Sequence, residues 1–351
     1  MKNILISGGA GYIGSVLVFE LLERNYNVTV VDKGYFGFDS LDGAKDRIEI
    51  SKLDFLSYAK KNDLGEFDAV CHLGGFSNDP QADFSPEGNL KINRDEAIEF
   101  FNKCVDDQVE KFIFASSAAI YGFNDEKELD ENWSPDPKSN YAISKLQAEE
   151  GMWQRKDEIQ LAILRQGTVM GCSPRQRYDL VVNMMVRDAF DKGIVNVFGG
   201  GEIWRPLINV IDVALAYIKI IENDGFESDI FNLLYKNYRI SELAHRVVHS
   251  IIKINSSYEG TIQINMDYDS PCDVRSYALN GKKIKDKLGI VPSIDITETV
   301  RMFLYNFEKG NCVDFGNPIY YNIDWIKMGT KFTEIIKGNP NVFHEFIKTQ
   351  S

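Results

Sequence analysis

Between residues 3 and 165, short apolar runs alternate with stretches whose apolar residues recur at helical spacing. Candidate strands cover 3–7, 27–32, 47–51, 68–73, 111–116 and 160–165, and candidate helices cover 12–24, 93–106 and 141–155. Near-continuous apolar strands separated by helices predict a parallel sheet covered on both faces. After Gly167 the pattern shortens. The runs VNVFGGG, RPLINV, IFNLL and TIQIN are interleaved with helical stretches over 211–222 and 241–252. Ser241 is the N-cap candidate of the last helix, with Glu242 in its first turn, where the helix dipole favours negative charge. This second part reads as a smaller α/β lobe on the carboxyl edge of the sheet. From Asn311 the segment NCVDFGNPIYYNIDWIKMGTKF is rich in Tyr, Phe and Trp and is expected to dock on the body.

Composition narrows the class. The 351 residues are 44% hydrophobic, enough for a large core shared by two lobes. No apolar run approaches the ~20 residues of a membrane-spanning helix. The start, MKNILISGG, enters a strand at once and lacks the pattern of a signal peptide. Cys71, Cys104, Cys172, Cys272 and Cys312 are scattered without CxxC spacing, as expected of free thiols in a reducing cytoplasm. A formal charge of −13 opposes nucleic acid and anionic membrane as partners. A small anion is still accommodated if arginines gather locally.

The strongest motif is SGGAGYIGS. Gly8, Gly11 and Gly14, with Tyr12 and Ile13 between them, form a GxxGxxG turn directly after a strand and opening a helix. Such a turn lets backbone approach a pyrophosphate and points free N–H groups at it. Asp32 ends the second apolar strand, where a carboxylate accepts from ribose hydroxyls and repels a 2′-phosphate, favouring NAD over NADP. Asp54 in SKLDFL is either a partner for the adenine amino group or a turn-capping aspartate.

YAISK places Tyr141 and Lys145 four residues apart, on one face of a helix. A phenol with a pKa of ~10 is a poor base at neutral pH, and a nearby ammonium favours its phenolate. ASSAAIYG, residues 115–122, closes the preceding strand. Arg175 and Arg177 in CSPRQRYD, Arg205 in WRPL and Arg275 in CDVRSY are candidates for a clamp on a substrate pyrophosphate. Asn183 is a candidate for the nucleotide or its phosphates, and Trp204 suits either packing or base stacking. His245 and His249 lie at i, i+4 without a third ligand, so no metal site is expected.

In order along the chain, GGAGYIG, Asp32, HLGGFS, Asn93, SSAAIYG, YAISK, LRQGTVMG and WRPLINVIDVALAY resemble the extended short-chain dehydrogenase/reductase family, which acts mainly on nucleotide-activated sugars. The resemblance covers roughly residues 1 to 310. It implies a Rossmann-type doubly wound parallel sheet over 1–167, with later segments returning to it. A substrate-binding α/β lobe would follow over 168–310 and an extension over 311–351. It casts Tyr141 as acid/base, Lys145 as its activator and nicotinamide-ribose ligand, and Ser117 as the partner of the reacting hydroxyl, with Ser116 structural beside the cofactor. Leu73, Gly74, Gly75 and Asn93 fall to the cofactor, and Ser77, Thr168 and Arg205 to the substrate. Gly74 and Gly75 stand where alanines are usual, and Thr168 where many relatives carry an Asn.

In the 4,6-dehydratases of that family an Asp-Glu pair follows the Ser/Thr, whereas here Ala118 and Ala119 follow Ser117. A methyl group moves no proton. The remaining chemistry needs one hydride and one proton. An NAD-type Asp32 suggests a cofactor regenerated within each turnover, hence a nucleotide-sugar C4 epimerase working through a transient 4-keto sugar. The alternatives are an NAD(P)-linked nucleotide-sugar ketoreductase or dehydrogenase and, from another class, a non-catalytic NAD sensor or scaffold. The apolar set Ala97, Ile98, Phe101, Cys104 and Val105, with Leu146, Met152 and Trp153, is expected to serve as core and as the two-fold helical interface of a homodimer.

Overall fold

The computed structural model describes residues 2–270 and 275–338, so Cys272 and the end of the extension lie outside the described residues. The first half runs β1 (Asn3–Ser7), α1 (Tyr12–Leu22), β2 (Asn27–Val31), β3 (Glu49–Ser51), α2 (Phe55–Ala59), β4 (Ala69–His72), α3 (Asp79–Phe84) and α4 (Pro86–Leu90). A π-helical turn, Lys91–Glu96, leads into α5 (Ala97–Asp106), β5 (Lys111–Ser117), β6 (Phe123–Leu129), α6 (Asn140–Trp153) and β7 (Gln160–Gln166). Then follow β8 (Thr168–Met170), α7 (Val181–Lys192), β9 (Ile194–Phe198), β10 (Trp204–Asn209), α8 (Val210–Glu222), β11 (Asp229–Leu233) and β12 (Lys236–Arg239). The chain closes with α9 (Ile240–Ile254), β13 (Gln263–Asp267), β14 (Ser276–Leu279), α10 (Lys282–Leu288), α11 (Ile296–Glu308) and α12 (Asn322–Gly338).

Seven strands pair in the order β11-β7-β5-β4-β1-β2-β3, every pair parallel. Alternation within β1 shows why both faces are covered. Ile4 and Ile6 pack with α1 and α8, while Leu5 packs with α2 and α5 on the other side. Strand order reverses between β1 and β4, which opens a crevice at their carboxyl ends. Two later segments, α8 and β11, return to this body. The remaining strands form small sheets, β12-β10-β8, β13-β9 and β14-β6. A separate core of α7, α9 and α11, including Val186, Val247 and Phe303, underlies the lobe.

One local expectation is corrected. Ser241 does not cap α9. Arg239 is held extended by pairing with Trp204, so the helix begins at Ile240 and Ser241 falls in its first turn. Of the apolar set on α5 and α6, Ala97, Phe101, Cys104, Val105 and Met152 are buried in the chain's own core. Gly151 lets α5 and α6 come this close, because a Cβ there would lie 2.3 Å from Ile98 Cδ1.

Polar order inside the body centres on Arg165 of β7 and Glu149 of α6, a buried pair at 2.8 Å. Ser116 donates to the same carboxylate, and Arg165 Nη1 donates to the Tyr121 hydroxyl at 2.9 Å. Removing one partner strands a buried charge. Glu149→Ala should therefore lower unfolding free energy by about 3 kcal/mol or more in urea titrations, and a loss below about 1 kcal/mol would contradict this assignment.

Candidate active site

The carboxyl ends of β1, β2, β4, β5 and β7 open on one cleft of about 1410 Å³, whose other wall comes from the lobe and α12. At its floor Gly8 has φ +76°, and a Cβ on it would lie 2.8 Å from Gly74 N; on Gly14 a Cβ would lie 2.3 Å from Gly8 O. Only glycine fits this turn. No side chain caps α1, whose N-cap is Gly11, so its first N–H groups are left for an anion. Tyr12 and Ile13 line the cleft beside them. The Tyr12 hydroxyl donates to Gly171 O at 2.7 Å, which ties the turn to the lobe.

Asp32 follows β2 and borders the same space. Its carboxylate accepts from Ala10 N at 3.1 Å and Gly34 N at 2.8 Å. Burial raises its pKa above the usual carboxylate value, against those hydrogen bonds. A tight glycine turn, an uncapped helix start and a carboxylate at the end of β2 together fit a dinucleotide. Leu73, Gly74 and Gly75 form the adjacent edge. Asp54 borders the cleft and also caps α2, accepting from Ser57 N at 2.7 Å and Ser57 Oγ at 2.8 Å. Asn93 is buried and lines no part of the cleft; it braces the loop after β4, accepting from Phe76 N at 2.8 Å and donating to Phe76 O at 3.0 Å.

The third group stands where β5 meets α6. Ser139 caps α6, accepting from Ala142 N at 3.2 Å, which sets the phase of Tyr141 and Lys145. Both line the cleft with Ser116 and Ser117. Burial pushes the Tyr141 phenol up to about 12, helped by the charge of Asp79 and opposed by a hydrogen bond with Ser117 and by Arg177. Lys145 Nζ donates to Ala115 O at 2.9 Å and lies 4.8 Å from the Phe114 ring centre. Burial pushes this ammonium down to about 8, with Glu149 opposing. Ala118 and Ala119 are buried beside Ser117. His72, beneath, is packed among Phe55, Phe100 and Phe114 and is pushed down to about 3 by burial.

On the lobe side the cleft gathers Thr168, Arg175, Arg177, Arg205 and Arg275, with Ser77 facing from the body. The four arginines are not equivalent. Arg177 is paired with Asp179 at 2.8 Å, Arg275 is paired with Asp79, and Arg205 Nη1 donates to Trp204 O at 2.8 Å. Arg175 forms no ion pair among the described residues; it lies 3.8 Å from the Phe36 ring centre. Asn183 stands outside the cleft, fully buried, donating to Tyr12 Oη at 3.1 Å and Arg177 O at 2.9 Å. Trp204 takes the Arg239 guanidinium 5.2 Å from its ring centre. Among the described residues no group of three or more His, Cys, Asp or Glu is placed to hold a metal, and no helix is long and apolar enough to cross a membrane. A hollow of about 890 Å³ around Gln108, Lys156 and Phe226 carries none of these groups.

Residues 4–233 match the NAD-dependent epimerase/dehydratase family. The putative UDP-glucose 4-epimerase of Methanocaldococcus jannaschii is 29% identical over 319 residues, spanning 88% of this chain and 99% of that protein. Human dTDP-D-glucose 4,6-dehydratase is 24% identical over 335 residues, spanning 89% of this chain and 93% of that protein. The solved structure of the UDP-glucose 4-epimerase of Thermotoga maritima, with UDP-glucose, matches with a TM-score of 0.76 at 26% identity, covering 88% of this chain and 99% of that one. This chain belongs to the NAD-dependent epimerase/dehydratase family, and its cofactor is NAD.

Sequence reasoning missed Asp79, whose charge reaches Tyr141, and Asn322 and Trp325, which enter the cleft from the extension. The aromatic content of the tail was the available signal, but it did not say where the tail docks. Lys145 supplies a direct check on the site's electrostatics. Between about pH 8 and its ordinary 10.5, the unfolded chain holds the Lys145 proton and the folded chain does not, so this residue's contribution to stability rises with pH through that window. NMR titration of labelled lysine in the cofactor-free protein should show one Nζ with a midpoint near 8 that is absent from Lys145→Met; a midpoint at the ordinary value would contradict the burial described.

Proposed function

We propose that this chain is a nucleotide-sugar epimerase acting at C4 of the hexose through a transient 4-keto sugar. One observation carries the reading. Ser117, Tyr141 and Lys145 share one wall of the cleft, and the residues after Ser117 are two buried alanines. Bound NAD would supply reversible hydride exchange with the carbinol carbon and, when oxidised, a positive charge in the cleft.

Tyr141 Oη takes the proton of the sugar hydroxyl as the carbinol carbon is oxidised, and gives it back to the oxygen on re-reduction. Its high pKa keeps the phenol protonated at neutral pH, so proton removal depends on nearby positive charge, which Lys145 shares in supplying. Ser117 Oγ holds the same hydroxyl in line. Ala118 and Ala119 offer no second acid or base beside Ser117, which disfavours the loss of water that a dehydratase performs. Arg205 and Arg275, on the lobe side, suit the pyrophosphate of a nucleoside diphosphate sugar. The likeness to the Thermotoga enzyme solved with UDP-glucose supports a UDP-hexose as the first substrate to try.

The test is a panel of nucleotide sugars given to the purified protein without added cofactor. Interconversion of C4 epimers is expected, and Tyr141→Phe should lower kcat by about 10²–10⁴ while NAD stays bound. Turnover only with stoichiometric added cofactor, or a product lighter by one water, would replace this reading with a reductase or a dehydratase.

A further inference from the structure

The cleft has an outer wall that the family motifs do not account for. The Thermotoga chain is matched over 99% of its length while 88% of this chain is covered, so this chain carries length that the relative lacks. Phe315 and Tyr320 anchor the extension on Tyr178 of the lobe, with ring centres 5.4 and 5.3 Å apart. The Tyr178 hydroxyl donates to Cys312 O at 2.7 Å. From that anchor α12 crosses the mouth of the cleft, where Ile323, Trp325 and Ile326 line the same space as Gly11 and Asp32.

Two contacts join α12 to the dinucleotide end. Trp325 Nε1 donates to Tyr35 O at 2.5 Å, in the loop that follows Asp32. Asn322, buried, accepts from Arg175 Nη2 at 2.6 Å and donates to Ser77 Oγ at 2.8 Å. Arg175 is the unusual partner. It is 6% exposed, its Nε is buried with no hydrogen-bond partner, and it has no ion pair among the described residues. Its loop is tied to the start of α1, since Ser173 Oγ donates to Tyr12 O at 2.7 Å and lies 3.1 Å from Ser15 Oγ. A buried cation without an ion pair is unfavourable; Asp179 and Asp32 act on this one only through space, and it borders the same cleft as the uncapped helix start that also favours an anion.

We infer that Arg175, held by Asn322 of the extension, binds the pyrophosphate of NAD, and that α12 straps the dinucleotide into the cleft so that it is retained between turnovers. The side chain's own state agrees: burial, then the charge of Arg177, pushes its pKa down to about 9, as for a cation awaiting an anion. Retention suits a cofactor regenerated within each turnover. The inference rests on NAD as the family's cofactor and not on which sugar carbon is inverted.

The experiment uses the full-length protein and three variants, Asn322→Ala, Asn322→Asp and Trp325→Phe. NAD carried through purification is counted per chain, and its release is timed by trapping freed NAD with an NAD-hydrolysing enzyme. Losing a hydrogen bond to a charged group should speed release at least about tenfold in Asn322→Ala. Asn322→Asp is the discriminating variant. It gives Arg175 a carboxylate partner inside the protein, so thermal unfolding of the cofactor-free chain should hold or improve while NAD leaves faster. Trp325→Phe keeps an aromatic ring and loses the N–H, and should release NAD faster without altering far-ultraviolet circular dichroism. Release rates unchanged from the parent in all three variants would overturn the inference, whether or not the protein proves to be an epimerase.

Discussion

In the proposed reaction Tyr141 both gives and takes a proton, and such a group has to be kept out of water yet not be neutralised by a carboxylate of its own. That requirement shapes the neighbourhood of Tyr141 and Lys145. Burial moves both toward their neutral forms, the phenol up to about 12 and the ammonium down to about 8. The acidic groups within reach are each occupied. Glu149, one turn beyond Lys145, is bound to Arg165 and Ser116, and Asp79 is bound to Arg275. Lys145 itself donates to a backbone carbonyl and faces the Phe114 ring. The phenol's acidity therefore depends on what enters the cleft, and the proposed proton transfer would be coupled to occupancy.

The parallel sheet supplies the positions. Reversal of strand order between β1 and β4 opens the crevice in which the glycine turn sits, and the close approach of Gly8 to Gly74 fixes its depth. β5 and α6 then bring Ser117, Tyr141 and Lys145 to the same edge. The lobe is joined to this floor by apolar packing of Ile208, Val169 and Leu180 and by buried polar contacts. Tyr12 reaches Gly171, Asn183 reaches Tyr12, and Ser173 reaches the start of α1. Such contacts fix the orientation of the two walls as well as their distance.

Legibility in the sequence followed the range of the interaction. The glycine spacing, the acid after β2 and the Tyr141–Lys145 pair are local signals, each set by one turn or one helix, and all of these residues line the cleft. Asn93 and Asn183 read as candidates near cofactor and substrate, but neither lines the cleft, and their amides bind the protein's own groups, which composition does not reveal. Ser241 has the right chemistry for a cap, yet pairing of Arg239 with Trp204 decides where α9 begins. The apolar spacing on α5 and α6 gave their core residues, Ala97, Phe101, Cys104 and Met152 among them, because burial against a neighbouring helix follows the helical period. The contacts of Asn322 with Arg175 and of Trp325 with Tyr35 join segments far apart in the chain. No periodicity carries that information.

The central claim is that one carbon of the sugar is oxidised and reduced again on a cofactor that never leaves. The most direct test is the fate of a deuterium placed at C4 of the nucleotide sugar, followed in a mixture with an unlabelled sugar of different mass. The account predicts that deuterium stays at C4 of the molecule that carried it, in both epimers. Loss of the label to water, or its appearance in the unlabelled sugar, would contradict it.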